Sequence, residues 1–158
     1  VNKQKRKKNM ASMWFETKVR YDKTMDNGSI KKVTEAFMVD ALSFTEAEAR
    51  ISEEVAHFTS EFTISAVKIT KIAEIFQQYT GDKWYLVKAA FITLDEKTAV
   101  EKKSISQYLV SADSFKEAYD HFMEGMKGTL ADFEINTIQE TAIMDVYEAD
   151  LSGKKTNE

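Results

Sequence analysis

The sequence predicts an α+β protein: two tandem β-β-α-β repeats packed as one pseudo-two-fold unit, mainly antiparallel sheet with two helices. Three observations carry this. The pattern V-x-A-x-S-F-x-E-A occurs twice, at residues 39–47 and 110–118. In both places an alternating apolar run leads into it, the mark of a half-buried strand. In both places a Ser is followed three residues later by a Glu, the capping box that opens a helix. A strand running into a helix N-terminus has therefore been written into this chain twice.

The elements follow in order. Residues 1–12 hold Lys3, Lys5, Arg6, Lys7 and Lys8 and no counter-charge, so they read as a disordered basic extension, with a start expected at Met10. The alternative for such a run is a nucleic-acid or membrane-surface arm. From Trp14 to Asp22, Phe15, Thr17, Val19 and Tyr21 alternate with Glu16, Lys18 and Arg20, a strand with one apolar side. Asn27-Gly28 supplies a hairpin turn, because both residues tolerate the positive φ angles that tight turns need. The returning strand, from about Ile30 to Ala41, puts Val33, Phe37, Val39 and Ala41 on one side. Ser43 with Glu46 then caps a helix whose stripe is Ala47, Ile51, Val55 and Phe58. A long strand, bulged or bent in its middle, is expected from Phe62 to Phe76. Residues 77–83 join the halves.

The plan then restarts. Trp84, Lys88 and Phe91 fall on Trp14, Lys18 and Tyr21 at an offset of 70, and from Val39 onward the offset is 71. The second hairpin thus holds one extra residue near its turn. Ser114 and Glu117 repeat the capping box, and Gly128 is the expected stop of the second helix. The predicted organisation is an extension (1–12), a first repeat (13–79), a second repeat (80–148) and a polar tail (149–158). Met38 and Leu109 point away from Phe37 and Tyr108, so each sheet has a second apolar face that one helix cannot cover. The other repeat, or a second copy of the chain, is the expected cover.

Composition narrows the function. No Cys is present, which excludes disulfides, zinc–thiolate sites and thiol nucleophiles. No apolar run approaches the length of a membrane helix, so a cytoplasmic protein without membrane partners is expected. Five of the 22 basic residues lie in the extension, leaving 17 against 26 acidic ones in the rest. An acidic body is unlike the positive face of a duplex-DNA binder. His57 and His121 stand at unmatched places in the repeats, no metal-ligand spacing such as H-x-x-x-H occurs, and five Gly form no phosphate loop. Neither catalytic residue, cofactor, metal nor small-molecule substrate is predicted.

W-F/Y-x-x-K-V at 14–19, V-D-A-L-S-F-T-E-A-E-A-R at 39–50, F-I-T-L-D-E-K at 91–97, E-G-M-K-G-T at 124–129 and E-T-A-I-M-D-V at 140–146 are similar to an uncharacterised domain-of-unknown-function family of small tandem-repeat proteins from Bacteroidetes and their phages. The resemblance covers roughly residues 13–147. It implies a bacterial or phage setting, hence the host cytoplasm if phage-encoded, and transfers no catalytic or binding residue.

The expected function is that of a non-enzymatic interaction or scaffold protein that binds a protein partner or itself. The alternative is a single-stranded nucleic-acid-binding accessory protein. It would use the outward faces of the first strands, Trp14 with Lys18 and Arg20 and Trp84 with Lys88, extended by Lys31, Lys32, Lys102 and Lys103. Aromatic and basic residues interleaved on a sheet hold bases by stacking and phosphates by charge. Against it, Trp14 and Trp84 are good fillers for the space between the repeats. Ser43, Glu46, Ser114 and Glu117 are assigned to helix capping.

Overall fold

Alternation over twelve residues makes four long strands, and two tight turns pair them into hairpins. The computed structural model describes residues 13–149, so the basic extension and the polar tail beyond Ala149 lie outside it. The first hairpin joins β1 (Met13–Thr24) to β2 (Ile30–Ala41), with Gly28 at φ +82° in the turn. The second joins β5 (Lys83–Leu94) to β6 (Glu101–Ala112) through a connection one residue longer, where Ala99 sits at φ +55°. The helices are α1 (Phe44–Val55) and α2 (Phe115–Gly125). Gly128, at φ +87°, lies in the turn three residues past the end of α2, where the backbone amide of Thr129 donates to the Met126 carbonyl.

The expected long strand over residues 62–76 is two strands. β3 (Phe62–Ile69) and β4 (Ile72–Phe76) belong to different sheets, and in the second half β7 (Asp132–Glu140) and β8 (Ile143–Tyr147) divide likewise. The described residues therefore form eight strands rather than the six of two β-β-α-β repeats. One four-stranded sheet has the order β3-β1-β2-β8 and the other β4-β6-β5-β7. The long strands pair antiparallel with their neighbours, while β8 runs parallel to β2 and β4 parallel to β6. The break is held from one side in each case. Thr70 donates from its amide (3.0 Å) and from Oγ1 (2.9 Å) to the Trp14 carbonyl, and Thr141 does the same to Trp84 at 2.9 and 2.8 Å. With that carbonyl taken by the Thr, the ladder to β1 or β5 ends and the chain leaves the sheet.

Two compact units result. The first runs up to Thr70 and resumes at Ile143; the second is residues 71–142. In the first unit α1 covers one sheet face, burying Ala47, Ile51 and Val55 against Phe15, Val19, Phe37 and Val39. In the second, α2 buries Ala118, Phe122 and Met126 against Tyr85, Val87, Tyr108 and Phe76. At about 1.5–3 kcal/mol per fully buried large apolar side chain, these two cores carry most of the stability of their units. A bulge breaks the register at equivalent points, between Lys18 and Val19 against β3 and between Lys88 and Ala89 against β7. Each bulge twists an edge strand away from pairing with another chain. No described helix is long and apolar enough to cross a membrane.

Candidate interaction surfaces

The helix entrances show what the repeated motif does. Ser43 Oγ accepts from the Glu46 amide at 3.1 Å, and the Glu46 carboxylate accepts from the Leu42 amide at 3.1 Å. Ser114 Oγ likewise accepts from the Glu117 amide at 3.2 Å. The Glu117 carboxylate, however, turns along its helix to His121 Nε2, 3.6 Å away. Both motifs cap a helix, but only the first closes the reciprocal bond.

The residue one turn further on explains the divergence. Arg50 ion-pairs with the buried Asp40 and donates also to the Asp40 carbonyl, while Asp40 accepts from the Ala149 amide at 2.5 Å. At the same register in the second unit, His121 stands for Arg50 and Ser111 for Asp40. There His121 Nδ1 donates to the Ser111 carbonyl at 2.8 Å, its ring stacks on Tyr79 at 4.3 Å, and Ser111 Oγ donates to the Gly81 carbonyl. His121 is thus a packing and hydrogen-bonding residue, and His57 is exposed past the end of α1.

The outward faces of β1 and β5 are mixed rather than basic. Trp14 and Trp84 are both half-buried. Lys18 and Arg20 are exposed and Lys88 is half-buried, on the same faces as their tryptophans. Glu16 lies between Trp14 and Lys18 on that face and is paired across the ladder with Lys68. The strand register puts Lys32 and Lys103 on the tryptophan faces, and Lys31 and Lys102 on the opposite ones. Lys103 is held by Glu134 at 3.3 Å. The five residues Trp14, Lys18, Arg20, Trp84 and Lys88 therefore sit on faces broken by carboxylates and neutral side chains.

Three tyrosines have raised pKa values. Burial pushes Tyr147 up to about 12, helped by Asp145 and Glu54. Burial also raises Tyr21, whose hydroxyl donates to Glu35, and Tyr108. Each lies within an aromatic cluster of the helix-covered face. Among the described residues no group of three His, Asp or Glu side chains is placed to hold a metal ion.

A surface that the sequence reading missed lies between α2 and β7. Tyr119, Met123, Thr129, Ala131, Phe133 and Ile135 are among the residues that line an open groove of about 560 Å³. Tyr119 is 47% exposed, Met123 38%, and Leu130 on the adjoining turn is fully exposed. At the matching register the first unit carries Glu48 and Ser52 for Tyr119 and Met123. It carries Phe58 for Thr129, and Phe58 lies edge-on to Tyr21 at 5.5 Å. The signal was present in the sequence as Tyr119 and Met123 at i, i+4, next to the stripe of Ala118 and Phe122.

The family model of a domain of unknown function, DUF4494, matches residues 13–149. No curated protein and no solved structure matches the chain.

Proposed function

The chain belongs to that DUF4494 family, and we propose that it is a non-enzymatic interaction protein that binds a protein partner through the α2–β7 surface of its second unit. The carrying observation is the groove with Tyr119, Met123 and Leu130 at its edge, in the unit whose helix carries Tyr119 and Met123 where α1 carries Glu48 and Ser52. Exposed aromatic and Met side chains beside a concavity are what interface cores are made of. The reading includes two halves copied from one β-β-α-β plan, the common scaffold being kept while one copy changed its surface. It includes a bacterial or phage origin, which the similarity of the motifs implies, and a cytoplasmic setting.

A photo-crosslinking residue in place of Leu130, in the cell that makes the protein, tests it. A discrete adduct that disappears when Tyr119→Glu and Met123→Ser are added supports the reading, whereas no adduct, or one unaffected by those changes, overturns it. The single-stranded nucleic-acid reading rests on exposed Lys18 and Arg20 beside Trp14 and on their echo at Trp84 and Lys88. The half-burial of both indoles and the interleaved carboxylates weigh against it. A salt titration with single-stranded oligonucleotides decides: affinity that falls steeply with salt and drops on Trp14→Ala plus Trp84→Ala would establish it.

A further inference from the structure

Resting on the reading that the α2–β7 surface binds a protein, we propose that the partner is a second copy of this chain, docked across α2 about a two-fold axis near Met123. The argument is the charge pattern along the helix. Lys116, Asp120, Met123 and Lys127 are all exposed. At about 100° per residue Lys116, Asp120 and Met123 fall within about 60° of one another, with Tyr119 immediately beside them towards β7, and Lys127 follows in the turn two residues past the end of α2, its amide donating to the Glu124 carbonyl. None of the three charges is in an ion pair with another described residue. Glu124 lies about 100° round the helix from Met123, and Asp132 lines the groove itself.

This stripe is self-complementary. Asp120 stands three residues before Met123 and Lys127 four residues after it. When two such stripes meet antiparallel about Met123, Asp120 of each copy comes within one residue of facing the partner's Lys127, twice over, as an isologous contact requires. Met123 meets its own counterpart, and the Tyr119 ring also comes within reach of the same lysine. A partner of uniform charge would leave either Asp120 or Lys127 facing a like charge; a second copy leaves neither.

The first unit carries none of this. At the matching positions α1 has Thr45, Glu48, Ala49, Ser52 and Ala56. Apolar centre and flanking charges changed together, on one helix of two. Divergence for solubility alone would have no reason to place opposite charges on either side of an apolar residue.

Sedimentation of the full chain over a range of concentrations tests the proposal. Expected is a concentration-dependent shift to twice the chain mass. Asp120→Lys and Lys127→Asp should each weaken it about fivefold or more, and the double variant, which restores the pairing with signs exchanged, should recover it. Tyr119→Glu with Met123→Ser should leave the chain monomeric with its circular dichroism unchanged, since both positions are exposed. A chain that stays monomeric at all concentrations, a dimer indifferent to Tyr119→Glu with Met123→Ser, or a double variant no better than the singles would each overturn the proposal. A monomer whose Leu130 crosslinker still captures a different protein overturns the second copy and leaves the partner-binding reading intact. A monomer with no adduct overturns both.

Discussion

Arg50 and His121 occupy matching positions in the two strand–helix corners, and they hold them by different means. Arg50 anchors α1 to the end of β2 through a charged pair with the buried Asp40, whose carboxylate also accepts from the Ala149 amide. His121 anchors α2 through a neutral carbonyl contact, a ring stacked on Tyr79 and a loose approach to Glu117. The corner is a requirement of the fold, because a helix leaving a strand through a capped Ser needs its first turn tied back. The chemistry that ties it is free to vary. Where His121 stands in place of Arg50, the Glu117 carboxylate faces that ring and not a backbone amide.

The largest test of that comparison removes the anchors. Arg50→Ala strands Asp40 in a site that leaves its side chain 5% exposed. It should cost about 3 kcal/mol, read as a fall in denaturation midpoint with unchanged slope. His121→Ala removes a stack and one hydrogen bond and should cost about 1 kcal/mol. Equal losses would mean that the Asp40 pair adds nothing beyond packing.

Alkaline titration probes the two aromatic clusters. Tyr21 and Tyr147 belong to the first unit and Tyr108 to the second, all with pKa raised in the folded state. A phenol that ionises more readily once unfolded favours folding below its unfolded pKa near 10. That stability is lost as pH climbs through the folded values, about 12 for Tyr147. The first unit, with two such groups, should loosen first, seen as Phe37 and Val39 amides exchanging ahead of Tyr108 and Val110. The reverse order would break the assignment.

The caps give a finer contrast. Ser43→Ala and Ser114→Ala should each cost about 1 kcal/mol. Glu46→Ala should cost roughly 0.5 kcal/mol more than Glu117→Ala, since only Glu46 returns a bond to the backbone. The smallest effect belongs to the turn with the extra residue. Ala99→Gly should gain about 0.5 kcal/mol or slightly more by relieving a positive φ, measured by the same denaturation.

Much of this architecture could be read from the residues because it is local. Asn27-Gly28 names its turn, alternation from Phe15 to Tyr21 names its strand, and Ser43 with Glu46 names a helix start. The 71-residue offset carried each reading to the second half, including the extra residue of its hairpin. Strand exchange was not legible, because Thr70-Lys71 carries no sign of which sheet the next five residues will join. That choice is settled by competition for the free edges of β2 and β6, a long-range matter that periodicity does not encode. The groove was missed for a related reason. Tyr119 and Met123 widen an amphipathic stripe, and only the distance from α2 to β7 decides whether they are core or open surface.

The reciprocal placing of β4 and β8 has a consequence for how the polypeptide is born. β2 waits for a neighbour, β8, that lies about a hundred residues downstream. Throughout most of translation the first hairpin therefore leaves the ribosome with a bare edge, and it cannot be completed before the last strand emerges. The second sheet has no such delay, since β4 is made before the strands it joins. A stop codon between Glu140 and Ile143 would thus spare the later-made sheet and cripple the earlier one, an inversion of the usual damage from C-terminal truncation.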